Sequence, residues 1–269
     1  MGCRGTDLSP LPVSPVTMSP ILAVTLRYAL IPVIFTIVGA AAGAYWPGVS
    51  RIRSHVLHLA AGVVFSVVAV ELLPEIQRRA LVWDVIWGFG AGVVAMLMAD
   101  KLLDRLRGEP GEDDAVASVA IEPARLPLSL IAAVAIDFLL DGLLLGVGFA
   151  AGARIGILLA LAEAAEQLSV GLALAGELRT ARMSPPRILL VVTALGSLVF
   201  VTAVAGATVL SRLQGGSMEM VLSFGAAALL YLVTAELLRE AHEERESTSA
   251  TAMFFAGFLL FLVVGMTME

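Results

Sequence analysis

The chain has 269 residues, of which 59% are hydrophobic and only 15% are charged, and its formal net charge is −6. Its mean hydropathy of +0.93 lies far above that of soluble globular proteins. This composition predicts an all-α integral membrane protein in a lipid bilayer and excludes a basic domain of the kind that binds nucleic acid. No zincin, phosphate-loop or Ser-His-Asp pattern is present, so nothing in the sequence indicates an enzyme or a prosthetic group.

Residues 1–20 are expected to form a flexible N-terminal tail. They lack the charged region followed directly by an apolar region that characterises a cleaved signal peptide. Met18 is an alternative start of the protein in the cell. Cys3 is the single cysteine, so we expect no intrachain disulfide.

The remaining residues, 21–269, form one predicted transmembrane domain. About 20 apolar residues cross a hydrocarbon core, and runs of this length predict eight spans, at 22–46, 55–76, 82–103, 127–152, 154–178, 187–211, 217–239 and 251–268. The connectors are short and leave no room for a separate soluble domain. The longest, at about 104–126, is charged and rich in Gly and Pro, and we expect a flexible cytoplasmic loop there.

Positive charges are distributed unevenly between the two sets of connectors. Eleven Lys and Arg residues lie between spans one and two, three and four, five and six, or seven and eight, against six on the other side. Short loops rich in Lys and Arg stay in the cytoplasm. We therefore predict a multi-pass protein of the cell (inner) membrane with both termini on the extracytoplasmic side.

Spans two and seven end in similar sequences, VVAVELLPE and YLVTAELLRE, which place Glu71 and Glu236 at matching positions. The two spans cross in opposite directions under the predicted topology, so the repeat is inverted. Inverted repeats are common in secondary transporters, whose substrate sites lie between the two halves. Glu75 and Glu240 follow one turn later, and they are interpreted either as solvated helix ends or as acids at the two mouths of a pathway.

Four carboxylates interrupt the apolar sequences of spans four and five. Asp137 and Asp141 share one helical face, and Glu163 and Glu166 share another, because residues three or four apart lie on one side of a helix. The tight connector near Gly152 predicts that the two spans are antiparallel neighbours with Asp141 and Glu166 at similar depth. Neither span has Lys or Arg in its core, so these acids need protons or a bound cation to offset their charge.

Carboxylate oxygens suit divalent cations such as Mg²⁺, Mn²⁺, Ca²⁺ and Fe²⁺, and Zn²⁺ with less preference. The sequence therefore predicts a mid-membrane metal site formed by Asp137, Asp141, Glu163 and Glu166. Three alternatives stay open. Protonated acids form structural hydrogen bonds between helices, the acids bind the coupling ion of a proton- or sodium-coupled carrier of another solute, or the protein binds metal without transporting it.

Two further patterns have both a functional and a structural interpretation. His55 and His58 lie three apart at the start of span two, which allows a shared metal contact at the cytoplasmic exit or an ordinary interfacial role. His242, close to Glu240 after span seven, either joins that exit or belongs to an ordinary solvated loop. Small residues recur along span four and indicate close helix packing or a sliding face, namely Gly142, Gly146, Gly148 and Gly152.

These spans resemble those of ZIP (Zrt/Irt-like) metal transporters. HLAAGVVFSVVAVELLPE resembles the second span of the family, AALLYLVTAELLREAHEE the seventh and GFLLFLVVGMTM the last, and the resemblance extends from about Leu22 onward. It implies eight helices in an inverted 3+2+3 arrangement, a homodimer, and uptake of a divalent metal substrate into the cytosol. The pathway is then expected to include Glu71, Glu236, Glu240, His55 and His58.

Both central spans depart from the family pattern. His-Asn-x-Pro-Asp/Glu-Gly in span four is reduced to Asp141–Gly142, with Asp137 at the histidine position and Phe138 at the Asn position. Span five keeps both acids of its motif and lacks the His and Pro. A site without imidazole offers only oxygen ligands, which are harder in the sense of hard and soft ligands. The resemblance therefore does not carry over a preference for Zn²⁺ against Mn²⁺, Fe²⁺ or Cd²⁺. Phe138 offers no ligand, which favours one metal over an adjacent pair.

Overall fold

The computed structural model describes residues 20–46, 53–79, 81–107, 128–213, 215–237 and 248–268. Across these ranges the chain is helical and contains no strand, which confirms the all-α class. Within them, eight helices are long and apolar enough to cross a membrane, and we number these as spans one to eight: Ile21–Tyr45, Ser54–Arg78, Val82–Leu102, Leu130–Ala151, Ala153–Thr180, Pro185–Leu210, Gly216–Ala235 and Thr248–Thr267. This is the architecture of a multi-pass membrane protein.

Three spans are built from shorter helical segments. Span one comprises Pro20–Tyr28 and Leu30–Tyr45. Span two joins Arg53–Val67, a π-helical segment Val68–Leu72 and Leu73–Arg79, and span seven joins Gly216–Tyr231 to a π-helical segment Leu232–Leu237. The other helices run at Val82–Arg107, Leu128–Ala151, Ala153–Thr180, Pro185–Leu210 and Thr248–Thr267.

The helix of span three continues beyond residue 103, where hydropathy predicts the end of the span, and it is described as far as Arg107. Lys101 and Arg105 on this extension are exposed, as expected of a helix that continues from the hydrocarbon into water. Hydropathy marks the point where the chain leaves the membrane, whereas backbone hydrogen bonding marks the end of the helix. The rest of the predicted 104–126 loop and residues 1–19 of the predicted tail lie outside the described residues.

Four pairs of spans pack most extensively, namely one with five, four with six, two with eight and three with seven. In each pair an added Cβ on a glycine would collide with the backbone of the partner helix. These contacts are Gly39 with Leu168, Gly142 with Val199, Gly62 with Phe254, and Gly88 with Met220. Because lipid gives helices no hydrophobic drive to associate, such close van der Waals contact is a main source of their attraction.

The close helix packing predicted for the glycines of span four is confirmed at three of the four. Gly142 and Gly146 lie directly against span six, where they contact the backbone of Val199 and Ala203. Gly148 instead faces Leu159 of span five, and Gly152 has open space around its Cβ position. Close helix packing therefore explains this face of span four.

Span five lies at the centre of the bundle. In its most apolar stretch 67% of residues are buried, against 17% in span three. It packs against spans one, two and four, and it follows span four after a turn at Gly152, which confirms that spans four and five are neighbours. Side chains on the inner faces of these two spans are therefore shielded from lipid by other helices.

Candidate functional site

Three of the four predicted ligands are buried between helices. Asp141, Glu163 and Glu166 are only 2%, 2% and 3% exposed, whereas Asp137 is half-buried. They lie on spans that are otherwise built from Leu, Ala, Val and Gly. Removing a carboxylate from water is costly unless charge or hydrogen bonds compensate for the lost hydration, so the partners of each acid decide what the site can do.

Asp141 belongs to a hydrogen-bond chain that crosses three spans. Gln167 on span five is fully buried, and its Nε2 donates to Asp141 Oδ2 at 2.8 Å. Thr36 Oγ1 on span one lies 3.0 Å from Gln167 Oε1 and 2.8 Å from the carbonyl oxygen of Pro32. Since Gln167 directly follows Glu166, this bond confirms that Asp141 and Glu166 lie at similar depth.

Glu163 has a different environment. Both of its carboxylate oxygens are buried, and neither has a hydrogen-bond partner among the residues that the structure describes. Buried polar groups are nearly always hydrogen-bonded, so each exception calls for an explanation. Glu163 is therefore the acid whose charge most needs a cation or a proton.

The four acids do not form a ready-made metal cage. Within the described part of the chain, no group of three or more His, Cys, Asp or Glu side chains could hold a metal ion as they stand. The assignment of Asp137, Asp141, Glu163 and Glu166 as metal ligands stays a prediction. Ion binding would require these side chains to rotate toward one another.

Glu71, the predicted entrance residue, is bound by Arg154. Arg154 Nη1 lies 3.0 Å from Glu71 Oε2, and Arg154 Nη2 donates to Glu71 Oε1 at 3.1 Å. The same Nη2 also donates to the carbonyl oxygen of Gly265 at 3.1 Å. Spans two, five and eight therefore meet at this ion pair.

The repeated motif of spans two and seven coincides with an unusual backbone. Glu71 lies in the π-helical segment Val68–Leu72, and Glu236 lies in the π-helical segment Leu232–Leu237. π-Helical segments are rare in proteins, and those that occur are frequently found at functional sites. Glu240 and His242 lie outside the described residues, so their predicted roles stay predictions.

The two described histidines have structural contacts. His55 Nε2 lies 3.1 Å from Ser249 Oγ, which links span two to span eight. His58 Nδ1 lies 2.8 Å from the carbonyl oxygen of Ser54, so this nitrogen carries the proton and donates it within the helix. The interfacial role and the exit role of both histidines therefore stay predictions.

Sequence reasoning missed three polar residues next to the predicted site. Gln167 follows Glu166 in an apolar span, and a buried amide beside an acid is a signal that could have found it. The sequence indicates Arg154 only as a charge in a connector, although the predicted topology places it on the same side of the membrane as Glu71. Thr36 gave no signal, because a lone hydroxyl in a span usually bonds its own helix.

Comparison with protein-family models and with curated protein sequences finds no match for this chain. Its function is therefore inferred from its own residues.

Proposed function

We propose that this chain is a ZIP-like transporter that carries a divalent metal ion, Zn²⁺ or a similar ion such as Mn²⁺, Fe²⁺ or Cd²⁺, across the cell membrane into the cytosol. The carrying observation is Glu163, a buried carboxylate whose two oxygens have no hydrogen-bond partner among the described residues. An ionised carboxylate in mid-membrane costs about 2.5–3.5 kcal/mol on insertion scales. A visiting cation offsets that cost and recruits Asp137, Asp141 and Glu166 as further oxygen ligands.

Structural hydrogen bonding between helices accounts for Asp141 better than for Glu163. Asp141 accepts a bond from Gln167 on the neighbouring span, as a purely structural acid would. A structural role for Glu163 requires a similar partner, and the described residues provide none. An acid held for binding a transient ion fits this environment.

We further propose the inverted 3+2+3 architecture. In such a repeat, spans one, two, three and four correspond to spans six, seven, eight and five. The contact between spans one and five then corresponds to the contact between spans six and four. The contact between spans two and eight likewise corresponds to the contact between spans seven and three. These are the four pairs that pack most extensively. A repeat of this kind puts spans four and five at the interface between the halves, which is where such transporters bind their substrates.

Individual contacts support the same exchange. Gly257 of span eight lies against Leu59 of span two, and Gly92 of span three lies against Phe224 of span seven. The two members of each of three residue pairs are the same number of residues apart in the sequence, namely Leu59 and Phe224, Gly92 and Gly257, and Glu71 and Glu236. Corresponding residues in the two halves thus make corresponding contacts, as expected of an internal duplication.

Under this proposal Glu71 lies near the outer mouth and Glu236 near the inner mouth, with both termini outside. Glu240, His55 and His58 would assist release on the cytoplasmic side, and two copies would form a homodimer as the family resemblance implies. Protons compete with metal for the same carboxylates, so we expect metal binding to weaken as the pH falls.

Reconstitution tests the proposal. Purified protein in liposomes should show saturable uptake of Mn²⁺, Zn²⁺, Fe²⁺ or Cd²⁺, and Glu163→Gln should abolish most of it. Glu177→Gln, at an exposed position on the same helix, is the matched control and should transport normally. Absence of both uptake and metal binding in the wild type would refute the proposal, and binding without uptake would favour a non-transporting metal-binding protein.

A proton- or sodium-coupled carrier of another solute is the second candidate. The absence of a three-residue metal cluster among the described side chains favours it, because a proton or Na⁺ needs fewer carboxylates than a divalent ion. Such a carrier would transport its solute without any divalent metal, and its flux would follow an imposed proton or Na⁺ gradient. Metal uptake at a rate that does not change with an imposed proton or Na⁺ gradient would exclude this second candidate.

A further inference from the structure

The contact between Arg154 and Glu71 is a bidentate ion pair. Each of the two guanidinium nitrogens binds one carboxylate oxygen, at 3.0 and 3.1 Å. Bidentate pairs between Arg and a carboxylate are among the stronger polar contacts in proteins. Both oxygens of Glu71 that a metal ion could use are therefore engaged by Arg154.

The surroundings hold this pair in place. Arg154 is the second residue of span five, and its Nη2 also donates to the carbonyl of Gly265 near the end of span eight. A Cβ on Gly265 would lie 2.9 Å from Glu71 Oε1, so a side chain at residue 265 would push this carboxylate oxygen aside. The pair thus fastens spans two, five and eight together at one end of the bundle.

The two side chains differ in access to the surface. The Arg154 side chain is 41% exposed, whereas that of Glu71 is 9% exposed. Arg154 is also the second residue of the helix Ala153–Thr180, so under the proposed topology it lies at the outer end of span five. A cation that arrives from the aqueous side meets the positive guanidinium before it reaches the carboxylate.

We propose that Arg154 is a tethered cation that competes with the incoming metal ion for Glu71 and keeps the outer mouth of the pathway closed. This inference rests on the proposed function, because it assigns a regulatory step to the same pathway. A metal ion must displace the guanidinium from Glu71 before it moves on to the carboxylates of spans four and five. Arg154 therefore raises the external metal concentration at which uptake is half-maximal.

Removing the guanidinium is the decisive change. Arg154→Gln should lower the half-saturating Mn²⁺ concentration of liposome uptake by about threefold or more, the factor expected for losing a partly exposed ion pair as competitor. The double variant Arg154→Gln with Glu71→Gln should lose this gain, because the carboxylate that binds the ion is then absent. Arg154→Lys keeps the charge without the bidentate geometry and should fall between the wild type and Arg154→Gln.

Arg179→Gln is the matched control. Arg179 lies at the opposite end of span five and donates to the carbonyl oxygen of Gly43 at 3.1 Å, so its loss also removes one positive charge and one contact between helices. We expect its half-saturating Mn²⁺ concentration to equal that of the wild type. Equal values for Arg154→Gln and Arg179→Gln, with wild-type uptake intact, would overturn the inference and leave the proposed function standing.

Equilibrium binding of Mn²⁺ to detergent-solubilised protein gives a readout that does not depend on flux. Arg154→Gln should bind Mn²⁺ more tightly than the wild type, and Glu71→Gln should reverse this change. If Arg154→Gln does not fold, Arg154→Lys carries the test, and an unchanged affinity in it would overturn the inference. A wild type that neither binds nor transports Mn²⁺, Zn²⁺, Fe²⁺ or Cd²⁺ would overturn the proposed function and this inference together.

Discussion

The side-chain amide of Gln167 on span five donates a hydrogen bond of 2.8 Å to the carboxylate of Asp141 on span four. Gln167 is fully buried, and its amide oxygen lies 3.0 Å from the hydroxyl of Thr36 on span one. A single polar chain therefore connects three spans at the depth of the predicted metal site. The amide binds the carboxylate of Asp141, whereas Glu163, one turn away from Gln167 on the same helix, has no such donor among the described residues.

Gln167→Leu should destabilise the protein by about 1–2 kcal/mol, because it leaves the buried carboxylate of Asp141 without this donor. Thermal unfolding in detergent measures the loss. Gln77→Leu changes an exposed glutamine on span two and should alter the stability by less than about 0.5 kcal/mol. Equal stability of the two variants would mean that the chain across the three spans contributes nothing.

Gly142→Ala should destabilise the bundle by about 1–3 kcal/mol, because the new methyl group would overlap the backbone of Val199 and the hydroxyl of Thr202 on span six. Gly176→Ala is the matched control, since no atom lies within 4 Å of its Cβ position. We expect it to be neutral or slightly stabilising. The check is the unfolding temperature of both variants in the same detergent, and a smaller loss for Gly142→Ala than for Gly176→Ala would refute the close packing of spans four and six.

Tyr231→Phe should cost about 1 kcal/mol of unfolding free energy, because the Tyr231 hydroxyl donates to Asp100 Oδ2 at 2.9 Å and links span seven to span three. Tyr45→Phe removes a hydroxyl from an exposed side chain and should have no measurable effect. Denaturant titration of both variants compares the two hydroxyls directly. A neutral Tyr231→Phe would show that packing alone joins these spans.

The predicted topology can be tested at the two ends of span six. In a Cys3→Ser background, Ser211→Cys should react with a membrane-impermeant maleimide on intact cells, whereas Ser184→Cys should react only after permeabilisation. Both serines are exposed and flank the helix Pro185–Leu210, so they differ chiefly in the side of the membrane. The opposite labelling pattern would place both termini in the cytoplasm.

The spans were predictable because the signal for each is local. Length and hydropathy of a single stretch decide whether it crosses a membrane, and the tight turn at Gly152 made spans four and five neighbours. Burial of Asp141, Glu163 and Glu166 followed from the same reasoning. The similarity of the segments around Glu71 and Glu236 was also predictable, since comparing the amino-acid sequences of the two segments is enough to find it.

The partners of the acids were not predictable from one sequence. Whether Asp141 meets Gln167, or Glu71 meets Arg154, depends on how far each helix is rotated about its axis. That rotation is set by contacts such as Gly39 with Leu168, which join residues far apart in the chain. The π-helical segments were equally hidden, because a sequence motif does not report a local change in helical register.

Anomalous scattering from crystals soaked in Mn²⁺, Zn²⁺ or Cd²⁺ tests the central claim most directly. The account predicts a metal peak between spans four and five, within bonding distance of Glu163 and at least two of Asp137, Asp141 and Glu166, and no peak there in Glu163→Gln. A peak that persists in Glu163→Gln, or metal bound elsewhere with none between these spans, would contradict it.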